Sequence, residues 1–188
     1  MKYIKLIAIV LMTTVFFTNP SRVSAQKEAG SSASVSAKIH VATVNYTDLA
    51  IKRKVIYEIL SKNNSPLVNE VDAFIATCTK YEIDCYLLPS ITGLESSFGK
   101  YTHPGSYNAF GWGGGYIMFK SWAECIDAVG RGVRENYIDK WGATSIETMG
   151  PIYAESPTWA VRVRLFHDKF ADLEAEKQLY FSNLTVEL

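Results

Sequence analysis

From residue 48 onward, apolar side chains return at the spacing of an α-helix face, and the pattern predicts a succession of helices with no internal repeat. Residues 48–61 carry Leu49, Val55, Ile56, Ile59 and Leu60. Ser65-Pro66 then reads as an N-cap followed by proline at the first helical position, and Leu67, Val71, Phe74 and Cys78 follow at i, i+4, i+7 and i+11. Asp84 is placed to cap a helix reaching about Phe98, with Gly99 as its stop. Ser121-Trp122-Ala123-Glu124 has the form of a capping box, leading a stripe of Trp122, Ile126, Val129, Val133 and Tyr137. A short segment around 144–149 comes next. Ser156-Pro157 repeats the cap-plus-proline signature ahead of Trp159, Val163, Phe166 and Phe170. One stretch breaks the rule. Across 100–119, Pro104 and the glycines at 105, 111, 113, 114 and 115 forbid a helix, and Tyr116–Phe119 is expected as a short strand. The pattern therefore describes a mainly α single domain with one glycine-rich excursion.

The start of the chain reads differently. Lys2 and Lys5 precede a mostly apolar run of twelve, Leu6–Phe17, and Val23-Ser24-Ala25 offers a small-x-small cleavage site. Twelve residues fall short of the roughly 20 that span a bilayer as a helix. Residues 1–25 are accordingly expected to be a signal peptide, with an uncleaved anchor as the other reading, and the protein to be secreted or extracytoplasmic, free of the membrane after cleavage. Residues 26–44, opening with the small and polar Gln26–His40, read as a flexible linker. The folded domain is expected at 45–175 and a C-terminal tail at 176–188.

Charge excludes one class of partner. Cleavage would remove Lys2, Lys5 and Arg22 from a chain balanced at 19 basic and 19 acidic residues, leaving 16 against 19. With no Lys/Arg stripe, nucleic acid is not expected as a partner. Three cysteines in an exported chain suggest one disulfide and one thiol. Cys78 and Cys85 flank a turn and could bridge locally, and Cys125 could replace either. His40, His103 and His167 stand apart and no C-x-x-C is present, so neither a metal site nor a cofactor is expected.

The candidate chemistry centres on ITGLESSFGK, residues 91–100. With Ile91 at zero on a helical wheel of about 100° per residue, Leu87, Leu88, Leu94, Phe98 and Glu95 all fall within about 60° of it. Glu95 is thus expected inside the apolar arc and in the last helical turn. Desolvation and the helix dipole would act together to favour the neutral acid, the form a general acid needs for cleaving a glycosidic bond. A basic neighbour or backbone donors satisfying a buried carboxylate would be the plainer explanation. The loop that follows adds weight to chemistry, because its aromatic rings could stack on pyranose faces. Trp122 and Trp159, at helix starts on apolar faces, are expected in the core.

Glu95-Ser96-Ser97-Phe98-Gly99-Lys100, followed by Asn108-Ala109-Phe110-Gly111-Trp112-Gly113 and by Tyr153-Ala154-Glu155-Ser156-Pro157-Thr158-Trp159-Ala160, resembles the lysozyme-like superfamily. Within it the segments are most similar to the bacterial endo-β-N-acetylglucosaminidase family of peptidoglycan hydrolases, over roughly residues 65–170. The resemblance implies an α+β lysozyme-like domain with a cleft beneath a small glycine-rich β or loop lobe, and peptidoglycan glycan strands as the partner. It implies Glu95 as acid/base and Tyr153 in the active site. Ser97, Tyr107, Asn108, Phe110, Gly111, Trp112 and Tyr137 are the candidate substrate-binding residues.

In one respect the match is incomplete. Glycosidases ordinarily use two carboxyl groups, yet no Asp or Glu lies between Lys100 and Ala123. Glu124 has the capping box to serve, Asp127 is expected in solvent, and Glu155 would have to swing in. The preferred expectation is a single acid assisted by the substrate's own N-acetyl oxygen. A lytic transglycosylase of the same fold and a non-catalytic peptidoglycan-binding module are the alternatives.

Overall fold

The computed structural model describes residues 46–186; the expected signal peptide 1–25 and linker 26–44 lie outside them. Described residues form a mostly helical domain without a strand. The first helix, α1, covers 46–62. A 3₁₀ turn at Pro66–Glu70 leads into α2 (Val71–Tyr81), followed by α3 (Leu87–Ser96) and α4 (Trp122–Gly132). A π-helical segment, Val133–Lys140, continues α4, and α5 (Ile146–Tyr153) and α6 (Trp159–Val186) complete the order. No described helix is long and apolar enough to cross a membrane.

The helices assemble by burying the stripes that the sequence displays. Val55, Ile56 and Leu60 of α1, Phe74 of α2, Leu88 and Ile91 of α3, Ile126 and Val129 of α4, and Val163 and Phe170 of α6 share one core. Within it α2 packs on α4, while α3 and α5 both pack on α6. Burial of this kind is the main favourable term, at about 25 cal/mol per Å² of apolar surface removed from water.

Local signals act where they were expected, with adjusted boundaries. Ser65 Oγ accepts from Leu67 N at 3.0 Å, with Pro66 inside the cap, but the first turn it opens is 3₁₀. Ser121 accepts from Glu124 N, while Glu124 Oε2 reaches back to Lys120 N at 2.6 Å. Asp84 caps the turn ahead of α3 by accepting from Tyr86 N at 2.7 Å. Asp127 reaches solvent as expected, and there it pairs with Lys80 at 2.7 Å and accepts from Tyr81 Oη at 3.2 Å. The segment around 144–149 is part of a longer helix, capped by Ser145 and running to Tyr153. No break separates residues 175 and 176, since α6 continues to Val186.

Two expectations about the glycine-rich region change. Tyr116–Phe119 is not a strand: the Ile117 carbonyl accepts from Asn108 Nδ2 at 3.2 Å and Phe119 N donates to Ser106 O, with no ladder formed. The small lobe is built of turns. Helix α3 ends at Ser96 rather than about Phe98, because Ser97 (φ 48°) and Phe98 (φ 61°) turn left-handed. That turn drops the Phe98 ring into the core, edge-on to Phe166 at 5.5 Å and Phe170 at 6.4 Å. Apolar burial outweighs the roughly 1–2 kcal/mol per residue that left-handed backbone costs.

Covalent and ionic ties complete the frame. Cys78 and Cys85 are disulfide-bonded, joining the end of α2 to the approach to α3. Cys125 is a free buried thiol that burial pushes up to about 12, which leaves it unreactive. Helix α6 is clamped to α1 by Lys52–Glu174 (2.6 Å) and Lys177–Glu58 (2.5 Å). The Lys177 ammonium, helped by Lys62, draws the Glu58 carboxyl down to about 2 from an ordinary 4.5. A carboxyl depressed in the folded state contributes stability above its unfolded value and loses it as pH falls through the folded one. The thermal midpoint of wild type should therefore exceed that of Glu58→Gln at pH 7, and the gap should close between about pH 4.5 and pH 2. A gap independent of pH would mean that the clamp is not ionic.

Candidate active site

Glu95 occupies the next-to-last position of α3, directly before the left-handed turn. Its side chain is exposed, which corrects the expectation of an apolar enclosure. Ile91, Leu87 and Leu88 do face the core as the wheel requires. At the C-terminal end of the arc, however, the loop does not cover Glu95 but rises as the opposite wall of a groove.

That groove, about 370 Å³, is lined by Glu95, Phe110, Gly111, Trp112, Gly113, Gly114, Tyr137, Tyr153 and Ala154. Four parts of the chain contribute: the end of α3, the glycine-rich loop, the π-helical segment and the end of α5. Glu95 is the only carboxylate in the lining. The π-helical segment matters here. The sequence stripe runs Val133 and Tyr137 together as one buried face, whereas Val133 is buried and Tyr137 is only half-buried and turned to the groove. Wide helical turns of this type recur at functional sites.

Glu95 is held from behind. Trp159 Nε1 donates to Glu95 Oε1 at 2.7 Å. The indole is itself buried, with 3% of its surface exposed, and stacks on Tyr153 at 4.5 Å and 24°. Tyr153 Oη in turn donates to the Phe110 carbonyl at 3.1 Å, tying the end of α5 to the loop. Burial, with the Glu95 carboxylate adding to it, raises the Tyr153 phenol well above its ordinary value. The hydroxyl accordingly stays protonated at any working pH.

Not every candidate reaches the groove. Asn108 is 3% exposed and its carboxamide is engaged within the loop. Oδ1 accepts from Trp112 N at 3.0 Å, while Nδ2 donates to Trp112 O at 2.8 Å and to Ile117 O. It shapes the wall and leaves no surface for a ligand, which corrects its reading as a substrate contact. Asn108→Ala should lower stability by about 2 kcal/mol, since buried loop groups would lose their partners. Chemical denaturation measures this, and a loss below about 0.5 kcal/mol would contradict the assignment. Ser97 is the left-handed cap of α3 and is not part of the lining, and Tyr107 packs edge-on against the half-buried Trp122 at 5.2 Å.

Two glycines are needed by the wall itself. Gly111 has φ +66°, and a Cβ there would sit 3.6 Å from Glu95 Oε2. A Cβ on Gly132, at the end of α4, would meet Trp112 Cη2 at 2.2 Å, so the bare backbone is the seat on which the indole rests.

Trp159 is in the core as its apolar face predicts, and what the sequence reading left out is that its indole N–H reaches Glu95. A signal existed. A buried indole N–H requires an acceptor, and Glu95 is an acceptor among apolar positions. The other expected carboxylates stay away: Glu155 lines a separate cleft on the α5–α6 connection, and Glu124 keeps its capping role. Among the described residues no group of three or more His, Cys, Asp or Glu is arranged to hold a metal. Compared with family models, with curated proteins and with solved structures, the chain matches none of them.

Proposed function

We propose that this protein is an exported enzyme of lysozyme-like type that cleaves peptidoglycan glycan strands beside an N-acetylated sugar. The observation that carries the reading is a lone carboxylate, Glu95, in an open groove whose aromatic walls are Trp112, Tyr137 and Tyr153; the Phe110 ring, expected as a sugar contact, is instead buried in the core at 1% exposure. Aromatic faces suit pyranose rings, and a sugar settled among them would strip water from the carboxyl, supplying the apolar setting that the free groove lacks.

In the mechanism, Glu95 protonates the glycosidic oxygen as the bond to the anomeric carbon breaks. The N-acetyl oxygen of the same sugar attacks that carbon and holds it as a cyclic oxazolinium ion. Glu95, now ionised, takes a proton from the incoming nucleophile, which opens the ring at the anomeric carbon. If the nucleophile is water, the outcome is hydrolysis; if it is the 6-hydroxyl of muramic acid, the product is an anhydro sugar. The substrate's own oxygen does the work of a second carboxylate, in keeping with a groove lining that holds one. Tyr153 positions the loop through the Phe110 carbonyl and does not exchange protons.

Purified sacculi test the reading. Digestion should release soluble muropeptides with reducing N-acetylglucosamine ends by mass spectrometry. Anhydro-muramic ends would instead assign a lytic transglycosylase. Binding to sacculi without any release would replace the enzyme with a binding module.

A further inference from the structure

We propose that Trp159 is a positioning residue that decides which oxygen of Glu95 carries the catalytic proton, and so from which side the scissile bond must approach. Its catalytic half rests on the glycosidase reading above; its structural half does not.

An indole nitrogen donates and cannot accept. With Trp159 Nε1–H on Oε1 at 2.7 Å, the protonated carboxyl does best by keeping Oε1 as its carbonyl oxygen, the better acceptor, and placing its hydrogen on Oε2. The indole cannot readily give way, because it is buried, stacked on Tyr153, and Tyr153 is anchored to Phe110 O. Oε2 is the oxygen that faces the loop, with the space over Gly111 in front of it. The glycosidic oxygen is therefore protonated from Oε2 on the Gly111 side of the groove. After the bond breaks, the N–H stays on Oε1, and Oε2 is the free base that takes a proton from the nucleophile. One oxygen gives the proton and receives one back.

Trp159→Phe removes the donor and retains an aromatic ring to stack on Tyr153. On sacculi its kcat should fall about 10- to 100-fold, the scale of a mispositioned catalytic group, while KM stays within about twofold. The limb of the pH–rate profile that reports Glu95 should move to higher pH, because the hydrogen bond lost from the ionised form is charge-assisted and stronger than the one lost from the neutral acid. A merely structural role would lower folded protein without moving that limb. Wild-type kcat and pH profile in Trp159→Phe would overturn the catalytic half.

A second measurement needs no turnover. The Trp159 indole ¹H–¹⁵N resonance, identified by its absence in Trp159→Phe, should titrate with Glu95 in wild type and be flat in Glu95→Gln. It should remain downfield and slow to exchange at both ends of the titration, as proton placement on Oε2 requires. An indole proton that is released on acidification would put the proton on Oε1 and overturn the proposal, as would a signal that never titrates. Should wild type release nothing from sacculi, the proposed function fails, and this titration alone decides whether Trp159 governs the carboxyl.

Discussion

Glu95→Gln should abolish muropeptide release, by a factor of about 10³ or more, while leaving the fold and sacculus binding intact. General acid–base catalysis by one positioned group contributes roughly 10² to 10⁴, and here a single group would serve both half-reactions. The substitution is close to isosteric, and Glu95 is exposed at the end of α3 with no ion pair to lose among the described residues. The Gln carbonyl oxygen can still accept from Trp159 Nε1, so the indole keeps a partner. Circular dichroism and thermal unfolding should therefore match wild type, and a sacculus pull-down should be undiminished. Release of muropeptides at the wild-type rate would remove Glu95 from the chemistry and with it the proposed function.

Gly132→Ala is expected to be strongly damaging for so small a substitution, against the usual rule for helices. Replacing a helical glycine by alanine ordinarily gains up to about 1 kcal/mol. At this position the new methyl would lie 2.2 Å from Trp112 Cη2 and 2.9 Å from Cζ2, separations that real atoms do not tolerate. Overpacking of that kind costs roughly 1–3 kcal/mol, so the clash outweighs the propensity gain. To relieve the clash Trp112 would have to leave its seat, distorting the groove wall that Asn108 holds through the Trp112 backbone. On the proposed function, activity on sacculi should fall at least about tenfold, and more through KM than through kcat, since the wall would bind sugar and would not transfer protons. Gly132→Ala with wild-type KM would show that Trp112 is not a sugar contact. Paired with Trp112→Ala, the two losses should be far from additive, because both remove the same ring.

Much of the helical frame was legible because helices are built from short-range information. The apolar stripes, the Ser65-Pro66 and Ser121 caps, and the turn-rich nature of 100–119 depend on neighbours three or four residues away, and they appear where periodicity places them. Boundaries were less legible wherever a distant partner intervened. The end of α3 was set by Phe98 reaching Phe166 and Phe170, residues about seventy positions later. Where a strand was expected, the Ile117 carbonyl accepts from the carboxamide of Asn108, nine residues earlier, and no partner strand lies beside it among the described residues.

By itself, the sequence determined that this is a helical domain interrupted by one glycine-rich loop, with Glu95 at a helix end beside that loop. Local hydrogen bonding and the helical period are sufficient for that much. Only the tertiary structure decided that Glu95 stands open in a groove rather than sealed in the apolar arc, because what covers a side chain depends on the path of the loop. Only it revealed that Trp159, 64 residues further on, donates to one carboxyl oxygen, and that Asn108 builds the wall without facing the groove. The direction of a hydrogen bond across the core has no signature along the chain, since it is set by how α3, α5 and α6 meet.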